Sequence, residues 1–273
     1  MLSIALIHHF EKDRLDYLRP KLKLFEPVID GRYFEVTAQQ FGSVNFFDPI
    51  LRKLKSYYVA RKRSRIDELA PISAWNEFRD FRFFLRSYLL QTTFRDSAKR
   101  NLQIEDVLTR KHIEALSRFL LTSGPSDRLI VLESDALIQD DQYFMDVLSL
   151  LPYFPKGFIV LGAHYHDFEL GLKSSEFKVE ANPKLKVLQY NRCTSNTTVA
   201  YSIDYELASL LLEEDSNLRT KFKLTADYWF NALFTRISVR NKQILAGSFY
   251  FAPSPILNGS LLGDYNSSFE KGF

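Results

Sequence analysis

The sequence predicts an α/β protein, a sheet whose strands are joined by helical crossovers, and three observations predict it. Apolar runs of the kind that form fully buried strands lie at residues 129–132 (Leu-Ile-Val-Leu) and 158–162 (Phe-Ile-Val-Leu-Gly). Each follows a breaker, Ser123-Gly124-Pro125-Ser126 and Phe154-Pro155-Lys156-Gly157. A third apolar run, residues 2–7, opens the chain. Between the runs at 2–7 and 129–132, residues 46–122 contain no glycine and repeat apolar side chains such as Trp75, Phe78, Phe81, Leu85 and Leu89 at three- and four-residue steps, which predicts helix.

The remaining elements follow in order. After residues 2–7, the polar stretch Glu11-Lys12-Asp13-Arg14 leads into a helix with Leu15, Leu18, Leu22 and Leu24 as its buried stripe, which Pro20 is expected to end or kink. Residues 25–29 read as a second strand, closed by the turn pair Asp30-Gly31. Residues 197–203 form a β-branched stretch, residues 205–212 a helix, and residues 223–235 another helix carrying Asp227, Trp229 and Phe230. From about residue 244 onward four glycines, two prolines and several serines predict a loop-rich end. No repeat or linker divides the chain, so a single domain is expected.

The 273 residues are 46% hydrophobic and 15% aromatic, which supplies a core and excludes global disorder, collagen-like repeats and coiled coil. One cysteine, Cys193, excludes an internal disulfide and a multi-cysteine zinc module. The early apolar stretch before His8 and His9 is too short for a secretory or spanning segment, so a cytoplasmic protein is expected. Charge is uneven: residues 50–100 hold thirteen basic and five acidic side chains, net +8, against 23 and 28 elsewhere. Seven of those cations fall within residues 52–65, interleaved with Tyr57 and Tyr58. This predicts an anionic partner, such as the inner face of a membrane or a phosphorylated glycolipid, or else a solvated helical face.

The sharpest local feature is residues 129–136, where an apolar strand runs straight into Glu133-Ser134-Asp135. In extended backbone, residues two apart point to the same side, so both carboxylates are expected to converge beyond the strand's C-terminal end, where open α/β sheets bind ligands. Two neighbouring carboxylates repel unless a cation lies between them, and Mg2+ or Mn2+ shared with a substrate diphosphate answers that need. Acids that merely open a following helix are the alternative. His164 and His166 sit two apart behind Gly162 and read as loop or substrate contacts rather than a metal site.

These residues resemble glycosyltransferase family 25, which includes lipooligosaccharide and collagen galactosyltransferases. Val131-Leu132-Glu133-Ser134-Asp135-Ala136 is similar to the family's acidic motif, with Ser134 in place of its middle acid. Residues 25–32 (Phe-Glu-Pro-Val-Ile-Asp-Gly-Arg) resemble the Phe-x-Ala-Val-Asp-Gly-Arg block, and Lys111-His112 the Ser-His helix, with lysine replacing serine. Residues 197–203 resemble a later Thr-x-Ala-Tyr strand. Residues 45–100 match nothing in the family.

The resemblance implies a GT-A type fold, a Rossmann-like mixed sheet flanked by helices, with residues 46–122 as a helical insertion. It also implies transfer of a sugar, galactose from UDP-galactose above all, to a hydroxyl of a surface glycan or glycolipid, as in lipopolysaccharide biosynthesis, with inversion and with Mn2+ or Mg2+. On that reading Asp135 is the metal ligand and Glu133 a second ligand or a ribose contact. Arg14, Asp30, Arg32 and His164 are candidates for donor binding, and Asp227 or Asp167, with Glu169, for the general base. Two alternatives stand beside it: a basic, aromatic-rich protein that binds nucleic acid through residues 52–100, and a transferase-like scaffold without activity. Under the transferase reading no nucleic acid partner is expected.

Overall fold

The computed structural model describes residues 1–29, 32–37, 42–67, 71–162, 175–179, 185–190, 198–217, 224–240 and 247–259, without the side chains of residues 60, 62–67, 71–77, 175, 217 and 238–240. The chain begins with strand β1 (Leu2–Ile7), helix α1 (Lys12–Ile29) and strand β2 (Tyr33–Val36). Three helices follow, α2 (Asp48–Asp67), α3 (Pro71–Leu90) and α4 (Thr92–Thr122). Then come β3 (Arg128–Glu133), β4 (Ala136–Ile138), α5 (Asp141–Leu150), β5 (Phe158–Val160), β6 (Ser175–Phe177) and β7 (Lys186–Tyr190). The chain continues through β8 (Ala200–Asp204), α6 (Tyr205–Asn217), α7 (Ala226–Arg240), β9 (Ser248–Ala252) and β10 (Ile256–Asn258).

Among the described residues, eight strands form one mixed sheet in the order β2-β1-β3-β8-β5-β9-β7-β6, and β10 pairs antiparallel with β4. This is the α/β mixed sheet flanked by helices that the sequence predicts. Alternation along the central strands divides the core into two layers. Ile4, Leu6, Ile130 and Leu132 pack with α1 and α5, and Ala5, Ile7, Leu129 and Val131 pack with α4, α6 and α7. Burial on both faces explains why residues 4–7 of β1 and 129–132 of β3 read as unbroken apolar runs.

Residues 25–29 are not a strand. They complete α1, whose buried residues Leu15, Leu18, Leu22, Phe25 and Ile29 step by three and four along one face. Leu24 is exposed, and Phe25 takes the place expected for it. The helix continues through Pro20 and Pro27 because both rings lie on its exposed side, where water satisfies the carbonyls that lose a partner. The segment from residue 244 is likewise not only loop: β9 lies inside the sheet, between β5 and β7. The helical region expected over residues 46–122 is present as α2, α3 and α4.

Gly157 opens β5 at a φ of 141°, held by its N–H to Asp204 Oδ2 (2.5 Å) and its carbonyl to Arg128 Nη1 (3.4 Å). A Cβ there would stand 2.7 Å from the Gly247 carbonyl oxygen. Gly157→Ala is therefore expected to cost about 2 kcal/mol, from strained backbone together with the collision. Urea unfolding checks this, and an unchanged midpoint would contradict it.

No helix of the described residues is long and apolar enough to cross a membrane.

Candidate functional site

The strand order sets the place of the site. β1 lies between β2 and β3 and is parallel to both, with Ile7 beside Glu133 in the register of β1 and β3. The chain thus leaves β1 toward one side and returns on the other, an arrangement that opens a crevice at the carboxyl ends of the two strands.

The β1 side of that crevice is a tight turn built by side chains. His8 is fully buried; its Nε2–H donates to Glu35 Oε2 (2.9 Å) and its Nδ1 accepts from the Phe10 N–H (3.1 Å), which fixes the tautomer. Phe10 takes a φ of 68°, in the left-handed region. Glu35 also accepts both Arg19 Nε (2.9 Å) and Nη2 (2.8 Å), and these bonds hold its carboxyl down at about 2 against the opposing effect of burial. Glu11 closes the turn, its Oε2 accepting the His9 N–H at 2.7 Å.

From α4, Lys111 enters the same turn and donates to the His8 carbonyl at 2.7 Å; burial draws its ammonium down to about 8, against the fields of Glu11 and Glu133. The neighbouring His112 bridges two strands. Its Nδ1 faces the Tyr201 hydroxyl (3.0 Å) and its Nε2 faces Glu133 Oε1 (3.1 Å). With Tyr201 donating, Nε2 carries the proton that Glu133 accepts. Burial alone would raise the Glu133 pKa. Hydrogen bonds from His112 and Thr198 outweigh it and hold the carboxyl below its usual value. Beneath this chain lies an aromatic floor, with Phe230 against His112 (6.0 Å) and Tyr201 (5.1 Å).

β3 ends at Glu133, and Ser134-Asp135 form a turn into β4. Strand alternation therefore stops at Glu133 and does not itself place Asp135: Glu133 pairs with His112, and the Asp135 carbonyl accepts from the Gly259 N–H at 2.8 Å. Arg14, buried in the first turn of α1, reaches Ser134 Oγ at 3.5 Å and Glu11 Oε1 at 3.8 Å. Among the described residues no three His, Cys, Asp or Glu side chains converge as a metal-holding group.

Of the residues singled out in the sequence, Arg14, Glu133 and Asp135 thus share one edge. Arg32 does not join them. It sits at the start of β2, pairs with Asp127 Oδ2 (3.2 Å) just ahead of β3, and so occupies the opposite edge of the sheet. Asp227, in the first turn of α7, accepts from the Thr225 hydroxyl at 2.6 Å and lies in the field of Arg52 on α2. Asp30, Asp167, Glu169, His164, His166 and Cys193 lie outside the described residues.

The sequence reading passed over His9, Glu11 and Tyr201. His9 is half-buried; burial and then the Lys111 ammonium pull its pKa to about 4, against Glu11 and Glu133. The available signal was two histidines directly behind a buried strand. Lys111 and Ser134 both have partners in the structure, Lys111 on the His8 carbonyl and Ser134 beneath Arg14.

No family model and no curated protein matches the chain. Among solved structures, a glycosyltransferase involved in the glycosylation of the major capsid of PBCV-1 is similar over 92% of this chain and 81% of its own, at 10% identity and a TM-score of 0.29. So loose a superposition carries no weight for fold or chemistry, and both rest on the residues above.

Proposed function

We propose that the chain is a glycosyltransferase of the GT-A type. It moves a sugar from a nucleotide donor, UDP-galactose first among them, to a hydroxyl of a surface glycan or glycolipid, with inversion. The observation that carries this reading is the edge where Arg14 reaches Ser134, between the two acids Glu133 and Asp135. In a single displacement the acceptor oxygen attacks the anomeric carbon, the bond to the diphosphate oxygen breaks, and the acceptor proton passes to a base. Negative charge then gathers on the departing diphosphate.

Arg14 offers that charge a planar guanidinium, which matches phosphate oxygens two at a time. Glu133, kept ionised by His112 and Thr198, accepts from a ribose hydroxyl. A hard divalent cation, Mn2+ or Mg2+, fits this edge through one carboxylate. Asp135 is the proposed protein ligand, as its place in the acidic turn suggests, and the donor's phosphates and water would be the others, a set such ions accept. When bound, the cation would neutralise the leaving group. Asp227 is the proposed general base, with Asp167 as its alternative.

Calorimetry with UDP, with and without MnCl2, tests the reading. Binding strengthened by the metal is expected, and Asp135→Ala should weaken it roughly tenfold or more. Absence of UDP binding under either condition, or an unaltered affinity in the variant, would reject it. A thermal-shift panel of nucleotide sugars then identifies the donor, because a ligand that binds only the folded state raises its Tm.

A further inference from the structure

We propose that the α2–α3 hairpin is a docking surface for an anionic membrane. On α2, Leu51, Leu54 and Tyr58 are 42%, 45% and 63% exposed, and their steps of three and four put them on one face. On α3, Phe83 and Leu90 are 69% and 73% exposed and seven residues apart, and the exposed Arg79, Arg82 and Arg86 continue the same face.

The opposite faces of both helices are spent on packing. Ser56 is buried on α2, and Tyr88 on α3 donates to the Phe46 carbonyl at 2.6 Å. Tyr57 meets Phe78 across the hairpin (5.8 Å), and Phe84 meets Phe94 of α4 (5.6 Å). The outward apolar side chains are therefore not required by the hairpin's own contacts with α4.

The pattern selects the partner. Aliphatic and aromatic side chains between arginines suit a lipid interface: the apolar groups enter the acyl boundary, while the arginine stems lie along it with their heads at the phosphates. The net charge of +8 over residues 50–100 complements an anionic leaflet and repels a second copy of the same face. Leucines cannot stack on bases, so the face is poorly made for single-stranded nucleic acid. With no helix of the described residues able to cross a bilayer, the hairpin would lie on it. This inference stands apart from the transferase reading, although a lipid-linked acceptor would suit both.

The test is co-sedimentation of the full chain with phosphatidylcholine vesicles, with and without phosphatidylglycerol, at low and high salt. Binding is expected to the mixed vesicles only and to fall with salt. Phe83→Glu combined with Leu90→Glu should abolish it. Arg82→Gln with Arg86→Gln, which removes two charges and no apolar side chain, should weaken it by roughly thirtyfold. Circular dichroism confirms that each variant is folded. The proposal is overturned if the mixed vesicles are not bound, if both variants bind as the parent does, or if the chain binds an oligonucleotide but no vesicle.

Discussion

Phe230→Ala is expected to lower the stability of the fold by about 3–5 kcal/mol, the range for a buried phenylalanine cut back to a methyl group. The ring is fully buried and sits among Trp229 (4.8 Å), Tyr201 (5.1 Å), Phe158 (5.4 Å), Phe234 (5.7 Å) and His112 (6.0 Å). Those neighbours belong to α4, α7, β5 and β8, which cannot all close on the void at once, so the cavity term persists alongside the lost transfer energy. For a chain of this length the loss corresponds to a fall in Tm on the order of 10 °C. Phe230→Leu, which refills most of the space, should cost about 1–2 kcal/mol. Denaturant titration of both variants decides the matter, and a loss in Phe230→Ala below about 1 kcal/mol would show that the floor under His112 is not tightly packed.

Acid is expected to destabilise the protein through His9 before it acts through the carboxylates. The imidazole titrates near 4 in the fold against an ordinary 6.5, because burial and then the Lys111 ammonium oppose its charge. Between those values the unfolded chain binds the extra proton and the folded chain does not, so stability rises with pH through this window and is lost as pH falls. Allowing for the partial exposure of the ring, the loss between pH 6.5 and 4 is about 2 kcal/mol. Glu11 and Glu133, both held below their ordinary value, add their own loss at lower pH. Lys111 acts with the same sign at the alkaline end: its pKa near 8 against 10.5 makes stability rise again across that range. Urea midpoints measured from pH 7 to pH 4 should fall steadily, and His9→Gln should flatten the upper part of the curve. An identical slope in the variant would remove His9 from the explanation.

The parts of the fold that could be read in advance are those whose pattern is local. Residues 129–132 and 158–160 are apolar on both faces because the sheet is covered on both sides, and the repeat across residues 46–122 is helical because each turn must bury a stripe. Short strands escaped notice. β4 and β10 have three residues each, too few for any period, and β9 (Ser-Phe-Tyr-Phe-Ala) was hidden among flanking glycines and prolines that only punctuate it. Residues 25–29 read as a strand because Pro20 is expected to end or kink the helix and Asp30-Gly31 closes the segment, yet Phe25 and Ile29 complete a stripe whose burial outweighs the local cost of the prolines.

The site divides in the same way. An acidic turn behind a buried strand, and an arginine shortly after the first strand, were visible as residues. Which arginine belongs to that turn was not, since Arg14 and Arg32 both flank a strand. Strand order and direction carry Arg14 to the carboxyl edge of β1 and Arg32 to the opposite edge, beside Asp127. Sequence by itself determined the fold class, the two-sided burial of β3 and β5, and the acidic turn, because each depends on neighbours in the chain. Only the tertiary structure decided that His112 from α4, itself bonded to Tyr201 of β8, takes hold of Glu133 while Lys111 is drawn under His8. The partners lie 21, 89 and 103 residues apart, and no periodicity reaches across such distances.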